Sequence, residues 1–427
     1  MTSPLLLGCI GDDFTGSTDL ANTLVRNGMR TVQLLGVPDD NAQVPDADAI
    51  VIALKSRTAP VQDAIAESLA ARRWLQRRSA KQLFFKYCST FDSTDQGNIG
   101  PVADALLEGV GNFSVACPAF PENKRTIYKG HLFVGDVLLS DSPMRHHPLT
   151  PMTDANLVRV LGRQTSGKVG LVELNTVKQG VSAIRAAMEK LIQDGYRYAI
   201  LDATEDAHLF ALGEACEALP LITGGSGMAL GLPENFRRAG LLTPNAQADA
   251  LPEAGGLAAV IAGSCSVATL GQIAYMQRTH PSYRLDPLKL AAGEDQVSAA
   301  LEFAKTKLAQ EPVLIYASAS PEEVKQAQLA LGKERASEVI ETAQGKIAQG
   351  LVALGVRKFV IAGGETSGAV VSALKVKALQ IGPQIDPGVP WCHAQSDVAG
   401  ADGLHLALKS GNFGSDDFFT RAFALLP

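Results

Sequence analysis

The chain has 427 residues, 46% hydrophobic and 19% charged, with a formal net charge of -6. This length exceeds one ordinary core and predicts two domains, and the acid excess argues against nucleic acid as a partner. No apolar run reaches membrane-spanning length and no basic stretch precedes the apolar N-terminus, so no membrane partner and a cytoplasmic location are expected. The six cysteines (Cys9, Cys88, Cys117, Cys216, Cys265, Cys392) include no CxxC pair. Neither a zinc site nor a disulfide framework is expected, and no metal-ligating residue is assigned.

The first predicted strand, Leu5 to Ile10, stops at Gly11-Asp12-Asp13-Phe14-Thr15-Gly16-Ser17-Thr18-Asp19. A helix from Leu20 to Arg26 follows, closed by Gly28. In an open α/β sheet, ligands sit at the carboxyl ends of strands. Two adjacent acids there suit a metal, a substrate hydroxyl or the free N–H groups of the helix, and capping alone needs fewer polar groups. Thr31 to Leu35 and Ala49 to Leu54 read as strands. The second is wholly apolar, as a central parallel strand would be, and ends in Lys55-Ser56-Arg57-Thr58. A helix over Val61 to Arg78 and a strand over Gln82 to Phe85 lead to a polar turn, Lys86 to Asn98. The helix Ile99 to Leu107 and the strand Phe113 to Cys117 come next. Lys55, Arg57 and Lys86 thus share the strand-end layer of Asp12 and Asp13, suiting either an anionic small substrate or plain ion pairs. Ser89, Asp92, Ser93 and Thr94 suit either sugar hydroxyls or turn capping.

Thr126 to Val134 predicts a hairpin turning at Lys129-Gly130. The proline-rich stretch Ser140 to Pro151 is expected as a loop or lid, and adjacent His146 and His147 cannot share one metal. Val169 to Leu174 and Tyr198 to Leu201 are predicted strands around a helix, Val181 to Asp194, and Leu221 to Gly227 closes the first half. Residues 242–256 read as a linker between domains 1–241 and 257–427.

The second half restarts with a strand, Leu257 to Ala262, a turn, Gly263-Ser264-Cys265-Ser266, and a helix, Thr269 to Arg278. A short strand at Arg284-Leu285, a helix over Asp295 to Gln310 and a strand over Val313 to Ala317 follow. Helices Pro321 to Leu331 and Ala336 to Leu354 then lead to the strand Lys358 to Ala362. Gly363-Gly364-Glu365-Thr366-Ser367-Gly368 reads as a turn opening a helix at Ala369. Leu379 to Ile385, a turn over Asp386 to Pro390 and the strand Leu404 to Leu408 precede Lys409-Ser410-Gly411-Asn412-Phe413-Gly414. Asp416 to Leu425 is the last predicted helix. The Gly363 turn can converge backbone N–H groups on a phosphate, yet it is neither a Walker A loop nor GxGxxG. Three such turns in one half predict a nucleotide cleft, with Cys265 as a packed thiol. Strands alternating with helices predict two α/β domains with mainly parallel sheets flanked by helices.

Together these blocks resemble the four-carbon acid sugar kinase family. The resemblance rests on Gly11 to Gly16, Lys86 to Gly97, Gly363 to Gly368 and Lys409 to Gly414, in that order along nearly the whole chain. It is strongest to the branch acting on 3-oxo-tetronates, through Gly16 to Asp19 and Lys86 to Thr94. Asp95-Gln96 stands where the threonate branch carries an arginine. The resemblance implies an N-terminal domain that binds the sugar acid, a C-terminal domain that binds ATP, and an active site in the interdomain cleft. It further implies Mg²⁺-assisted transfer from ATP to the C4 hydroxyl of a 3-oxo-tetronate, with threonate or erythronate as alternatives. The expected base is Asp12 or Asp13, Asp12 being preferred. Arg57, Lys86, Ser89, Asp92 and Ser93 are expected to hold the acid. Ser264, Ser266, Gly363, Gly364, Glu365, Thr366 and Gly411 are expected to hold ATP. A homodimer is compatible with this reading. Two rival classes are a nicotinamide-dependent dehydrogenase, which the glycine spacing opposes, and a non-catalytic sugar-acid binding protein, which the phosphate-ready second half opposes.

Overall fold

The apolar runs of the first half become strands that all point one way. The structure is a computed structural model describing residues 5–426 except 43, 92, 93, 147–149, 244 and 246. The chain divides into two units between Ala248 and Asp249.

The first unit begins with β1 (Leu7–Gly11), α1 (Phe14–Arg26), β2 (Thr31–Leu35), β3 (Ala49–Ala53), α2 (Val61–Arg77) and β4 (Gln82–Lys86). It continues through α3 (Ile99–Leu107), β5 (Ser114–Cys117), β6 (Arg125–Tyr128), β7 (His131–Val134), β8 (Val137–Leu138) and α4 (Leu157–Gln164). It ends with β9 (Lys168–Val172), α5 (Leu174–Val177), α6 (Val181–Gln193), β10 (Tyr196–Leu201), α7 (Asp206–Ala215), β11 (Leu221–Gly224) and α8 (Leu232–Arg238). The main sheet runs β2-β3-β1-β4-β11-β5-β10-β9, every pair parallel. β6, β7 and β8 form a separate antiparallel sheet whose hairpin turns at Lys129-Gly130, as its sequence predicts. β1, β3 and β4 are buried along their whole length, which is why their sequences show no polar alternation. The chain leaves β1 toward β2 on one side, and from β3 it crosses to β4 on the other. That reversal makes the carboxyl end of β1 a topological switch point, where α/β sheets bind ligands.

The second unit comprises β12 (Leu257–Ala262), α9 (Val267–Met276), β13 (Ser282–Arg284), α10 (Pro287–Ala291), α11 (Gln296–Lys307), β14 (Val313–Tyr316) and α12 (Pro321–Leu331). It closes with α13 (Lys333–Ala353), β15 (Val356–Ala362), α14 (Gly364–Ala373), β16 (Val376–Asp386), β17 (Val389–Ser396), β18 (Gly400–Lys409) and α15 (Phe418–Ala424). Its order is β13-β14-β12-β15-β18-β17-β16, parallel from β13 to β18 and antiparallel from there. The winding reverses at β12 as it does at β1. Trp391, Phe418, Phe419, Ile273 and Met276 fill one core of this unit, with the Trp391 indole donating to Ala422 O.

Several boundaries differ from the sequence expectation. Helix α1 starts at Phe14, six residues before Leu20, because its polar residues bond back into the helix. Ser17 donates to Asp13 O, and Thr18 to Phe14 O and Gln33. Helix α14 likewise begins at Gly364, so the glycine-rich run is the helix start rather than a turn before Ala369. The turn expected over Asp386 to Pro390 separates β16 from β17, whose first two residues fall inside it and whose remainder was not expected, with Pro390 lying where the β16 pairing is irregular. Helices α4, α5, α7, α8 and α10 were not expected. α7 is buried at His208, Leu209, Leu212, Gly213 and Ala215, which blurs any amphipathic period. The segment Ser140 to Pro151 carries short 3-10 turns through Asp141 and at Pro143–His146, and its His147 lies outside the described residues. Among the described residues, no helix is long and apolar enough to cross a membrane.

Candidate active site

Two constellations form at the switch points. In the first unit, Asp12 follows β1 and is 5% exposed. Its carboxylate accepts Arg57 Nε at 2.9 Å and Arg57 Nη2 at 2.8 Å, a bidentate pair. The same Nη2 donates to Asp13 Oδ1 at 2.6 Å. Asp13 caps α1, its other oxygen accepting Thr15 Oγ1 at 2.9 Å and Gly16 N at 3.3 Å. The loop after β3 brings Arg57 here. Ser56 N and Arg57 N donate to Asp12 O, while the Asn98 amide donates to the carbonyls of Ser56, Arg57 and Ala59.

Lys86, the last residue of β4, is buried and donates to Tyr87 O at 2.7 Å. It reaches the first turn of α1. A Cβ at Gly16 would lie 2.8 Å from its Nζ and 2.3 Å from Asp13 Oδ1, so any side chain there must displace those groups. Asp19 completes the group, accepting Ser226 Oγ at 2.6 Å. Burial pushes the Asp12 and Asp19 carboxyls up. Burial acts on Asp13 too, but the Arg57 and Lys86 charges and the two hydrogen bonds hold it below the usual carboxylate range. Burial would lower Arg57, yet the Asp12 and Asp13 charges raise it well above its ordinary value. Arg57 Nη1 makes no hydrogen bond among the described residues and remains available to an anion.

In the second unit, the turns after β12, β15 and β18 meet. Gly263 N and Ser264 N donate to Ala362 O, and Gly363 N donates to Lys409 O at 2.8 Å. Gly411 approaches so closely that a Cβ on it would lie 2.3 Å from Ser264 Oγ. Ser266 caps α9 and donates to Gly411 O at 2.6 Å. A cleft of about 950 Å³ opens beside these turns, lined by Gly263, Ser264 and the stretch Gly363 to Thr366. Leu285, Leu288, Val324, Ala327 and Ile340 add an apolar wall to the same cleft. Free N–H groups at a helix start suit phosphates, and a flat apolar wall suits a base.

The structure thus gathers Asp12, Asp13, Arg57 and Lys86 in one site and Ser264, Gly363, Gly364, Glu365 and Thr366 around one cleft. Ser266 and Gly411 are joined by a hydrogen bond. Ser89 lies in the turn beyond β4, while Asp92 and Ser93 lie outside the described residues. Lys55 turns to the Phe14 ring, 5.1 Å from its centroid. Cys265 is exposed on the cleft instead of packed, and its sulfur accepts Ala319 N. Sequence reasoning missed Asp19, Asn98, Ser226 and the side chain of Lys409. Asp19 and Ser226 lie 207 residues apart and carried no joint signal.

Comparison with known proteins sharpens both constellations. The model of a sugar-binding N-terminal domain matches residues 7–232, and that of a nucleotide-binding C-terminal domain matches residues 259–419. The chain belongs to the four-carbon acid sugar kinase family. Within that family it is 62% identical to the 3-oxo-tetronate kinase of Burkholderia multivorans, over 99% of this chain and 97% of the relative. It is 59% identical to the 3-oxo-tetronate kinase of Cupriavidus necator, with the same coverage. A solved structure from Salmonella typhimurium LT2, provisionally described as a tRNA synthase, superimposes with a TM-score of 0.91. It shares 42% identity and covers 99% of this chain and 100% of its own.

Proposed function

We propose that this protein transfers the γ-phosphoryl group of ATP to the C4 hydroxyl of a 3-oxo-tetronate, giving the 4-phosphate and ADP. The carrying observation is its 62% identity, over nearly the full chain, to a relative named for that reaction. The geometry agrees with it: carboxylates and cations for a small hydroxy acid in one unit, a phosphate-ready cleft in the other. The first unit then takes the acid and the second the nucleotide.

Asp13 is the better base. Both carboxylates have both oxygens hydrogen-bonded, but Asp12, preferred from sequence, is almost wholly covered. The Asp13 side chain keeps 26% of its surface and stays ionised at neutral pH. Asp12 then orients Arg57, while Arg57 Nη1 and Lys86 hold the substrate carboxylate. In a loose phosphoryl transfer, positioning and charge neutralisation supply most of the rate. The open N–H groups at the start of α14 hold phosphate oxygens, and Ser264 lines the same cleft.

Mg²⁺ usually binds through few protein oxygens together with nucleotide phosphates and water, and Glu365 and Thr366 on the cleft fit that pattern. When bound, the ion neutralises charge on the phosphates. A cytoplasmic location follows from a need for ATP. A tRNA substrate would call for a basic face, and this chain carries 44 acidic against 38 basic side chains.

ADP release tests the reading. It should appear with a 3-oxo-tetronate and fall to background with threonate or erythronate. ADP from threonate or erythronate alone would overturn the substrate, and none from any acid would overturn the reaction.

A further inference from the structure

Lys409 ends β18, and its side chain is fully buried. Its ammonium donates to Thr269 Oγ1 at 3.0 Å, Ser410 O at 3.0 Å and Gly411 O at 2.9 Å. Its own carbonyl accepts Gly363 N at 2.8 Å. Gly411 O receives two further donors, Ser266 Oγ at 2.6 Å and Thr269 Oγ1 at 2.9 Å. One residue therefore links the start of α9, the turn after β15 and the turn after β18. A buried ammonium held only by neutral acceptors carries a desolvation cost. A methionine would fill the same space without that cost, so the charge has a task other than packing.

We infer that Lys409 is a positioning residue of the nucleotide cleft: without touching ATP, its ammonium pins Gly411 against Ser264 and Ser266 and so fixes the turns that receive the phosphates. The inference rests on the nucleotide reading of this cleft. Burial lowers the Lys409 ammonium to about 8, which brings its titration into an accessible range. The segments packed around Nζ face it with the Thr269 hydroxyl and the Ser410 and Gly411 carbonyls. Their charged side chains are Glu365 on α14 and Asp416 and Asp417 after β18, and burial alone accounts for the shift. The amine goes neutral as pH rises through about 8 and then donates fewer hydrogen bonds. ATP affinity should fall on that side.

Two substitutions test this, Lys409→Met and Thr269→Val, the second removing two of the hydrogen bonds at nearly constant shape. Calorimetry with MgATP should show a tenfold or greater loss of affinity in each, while KM for the acid at saturating ATP moves less than twofold. The wild-type protein should also lose MgATP affinity between pH 7 and pH 9, and Lys409→Met should not. If Lys409→Met fails to fold, Thr269→Val and the wild-type pH series decide. A folded variant that binds MgATP like the wild type, or KM values for ATP and acid that rise in parallel, would overturn the inference alone. A wild-type protein that does not bind MgATP at pH 7 would overturn it together with the nucleotide reading.

Discussion

At the carboxyl end of β1 the chain places two carboxylates, and at the matching end of β12 a glycine and two serines. The sheets around them are wound alike, with the third strand between the second and the first, and the first beside the fourth. Each unit also buries a lysine at a strand end, on the strand next to β1 in the first unit and one strand further from β12 in the second. Lys86 at the end of β4 donates to the carbonyl of Tyr87, and Lys409 at the end of β18 donates to that of Ser410. The difference lies in what surrounds them. Lys86 sits among Asp12, Asp13 and Asp19, whereas Lys409 meets hydroxyls and carbonyls. A hydroxy acid presents donors and one carboxylate, so side-chain charges of both signs recognise it. Triphosphate oxygens only accept, so bare backbone N–H groups serve them and large side chains would block them. One wound sheet thus gives either site, according to the few residues after each strand.

The comparison breaks hardest at Asp13. Asp13→Asn should lower kcat by about 10³-fold, within the range general-base catalysis supplies, and leave MgATP affinity unchanged. Asp12→Asn should cost less, because it loosens Arg57 without removing the base. Turnover measured on both variants settles the order, and a larger loss in Asp12→Asn would return the base to Asp12. The Asp13 carboxyl lies below the usual carboxylate range, so it loses its charge only when pH falls through that lowered value. The pH–kcat profile should therefore show no acid limb between pH 5 and pH 7. A limb there would mean that a raised carboxyl, such as Asp12, carries the proton.

Arg57→Met comes next. It leaves the Asp12 carboxylate buried without its partner, which typically costs about 3–5 kcal/mol. Urea denaturation should register the loss, and KM for the acid should rise in whatever fraction stays folded. Ion pairs on the same unit's surface, such as Lys190–Asp194, should contribute less than about 1 kcal/mol in the same experiment. Equal effects from the two would mean that the Asp12–Arg57 pair is as wet as a surface pair.

Much of this arrangement is legible in the amino-acid sequence. β1, β3, β4, β12 and β15 announce themselves as apolar runs, and polar residues that stop them gather at the strand ends, where open sheets bind ligands. What stayed hidden depends on contacts across long separations or on polar helices. The glycine, serine and threonine residues of α1 look like a turn until Ser17 and Thr18 bond back to Asp13 and Phe14. Nothing in the sequence shows that the Ser266 hydroxyl bonds Gly411 O, 145 residues away. Lys409 looks like an ordinary strand-end charge, and only its partners show that it joins three segments.

The finest test of the comparison is a mirrored pair of methyl groups. At Gly16 a Cβ would lie 2.3 Å from Asp13 Oδ1, and at Gly411 it would lie 2.3 Å from Ser264 Oγ. Each distance is too short to persist, so a side chain must swing away, and the two displaced groups belong to different ligands. Gly16→Ala should raise KM for the acid several-fold and spare KM for ATP. Gly411→Ala should do the reverse. The crowded atoms are side-chain ends, of Asp13 and Lys86 at Gly16 and of Ser264 at Gly411, so thermal unfolding should change little and the effect should stay in the kinetic constants. If either substitution raises both KM values together, the two sites are coupled more tightly than separate strand-end turns allow, and the division of labour between acid-binding and nucleotide-binding residues fails at that position.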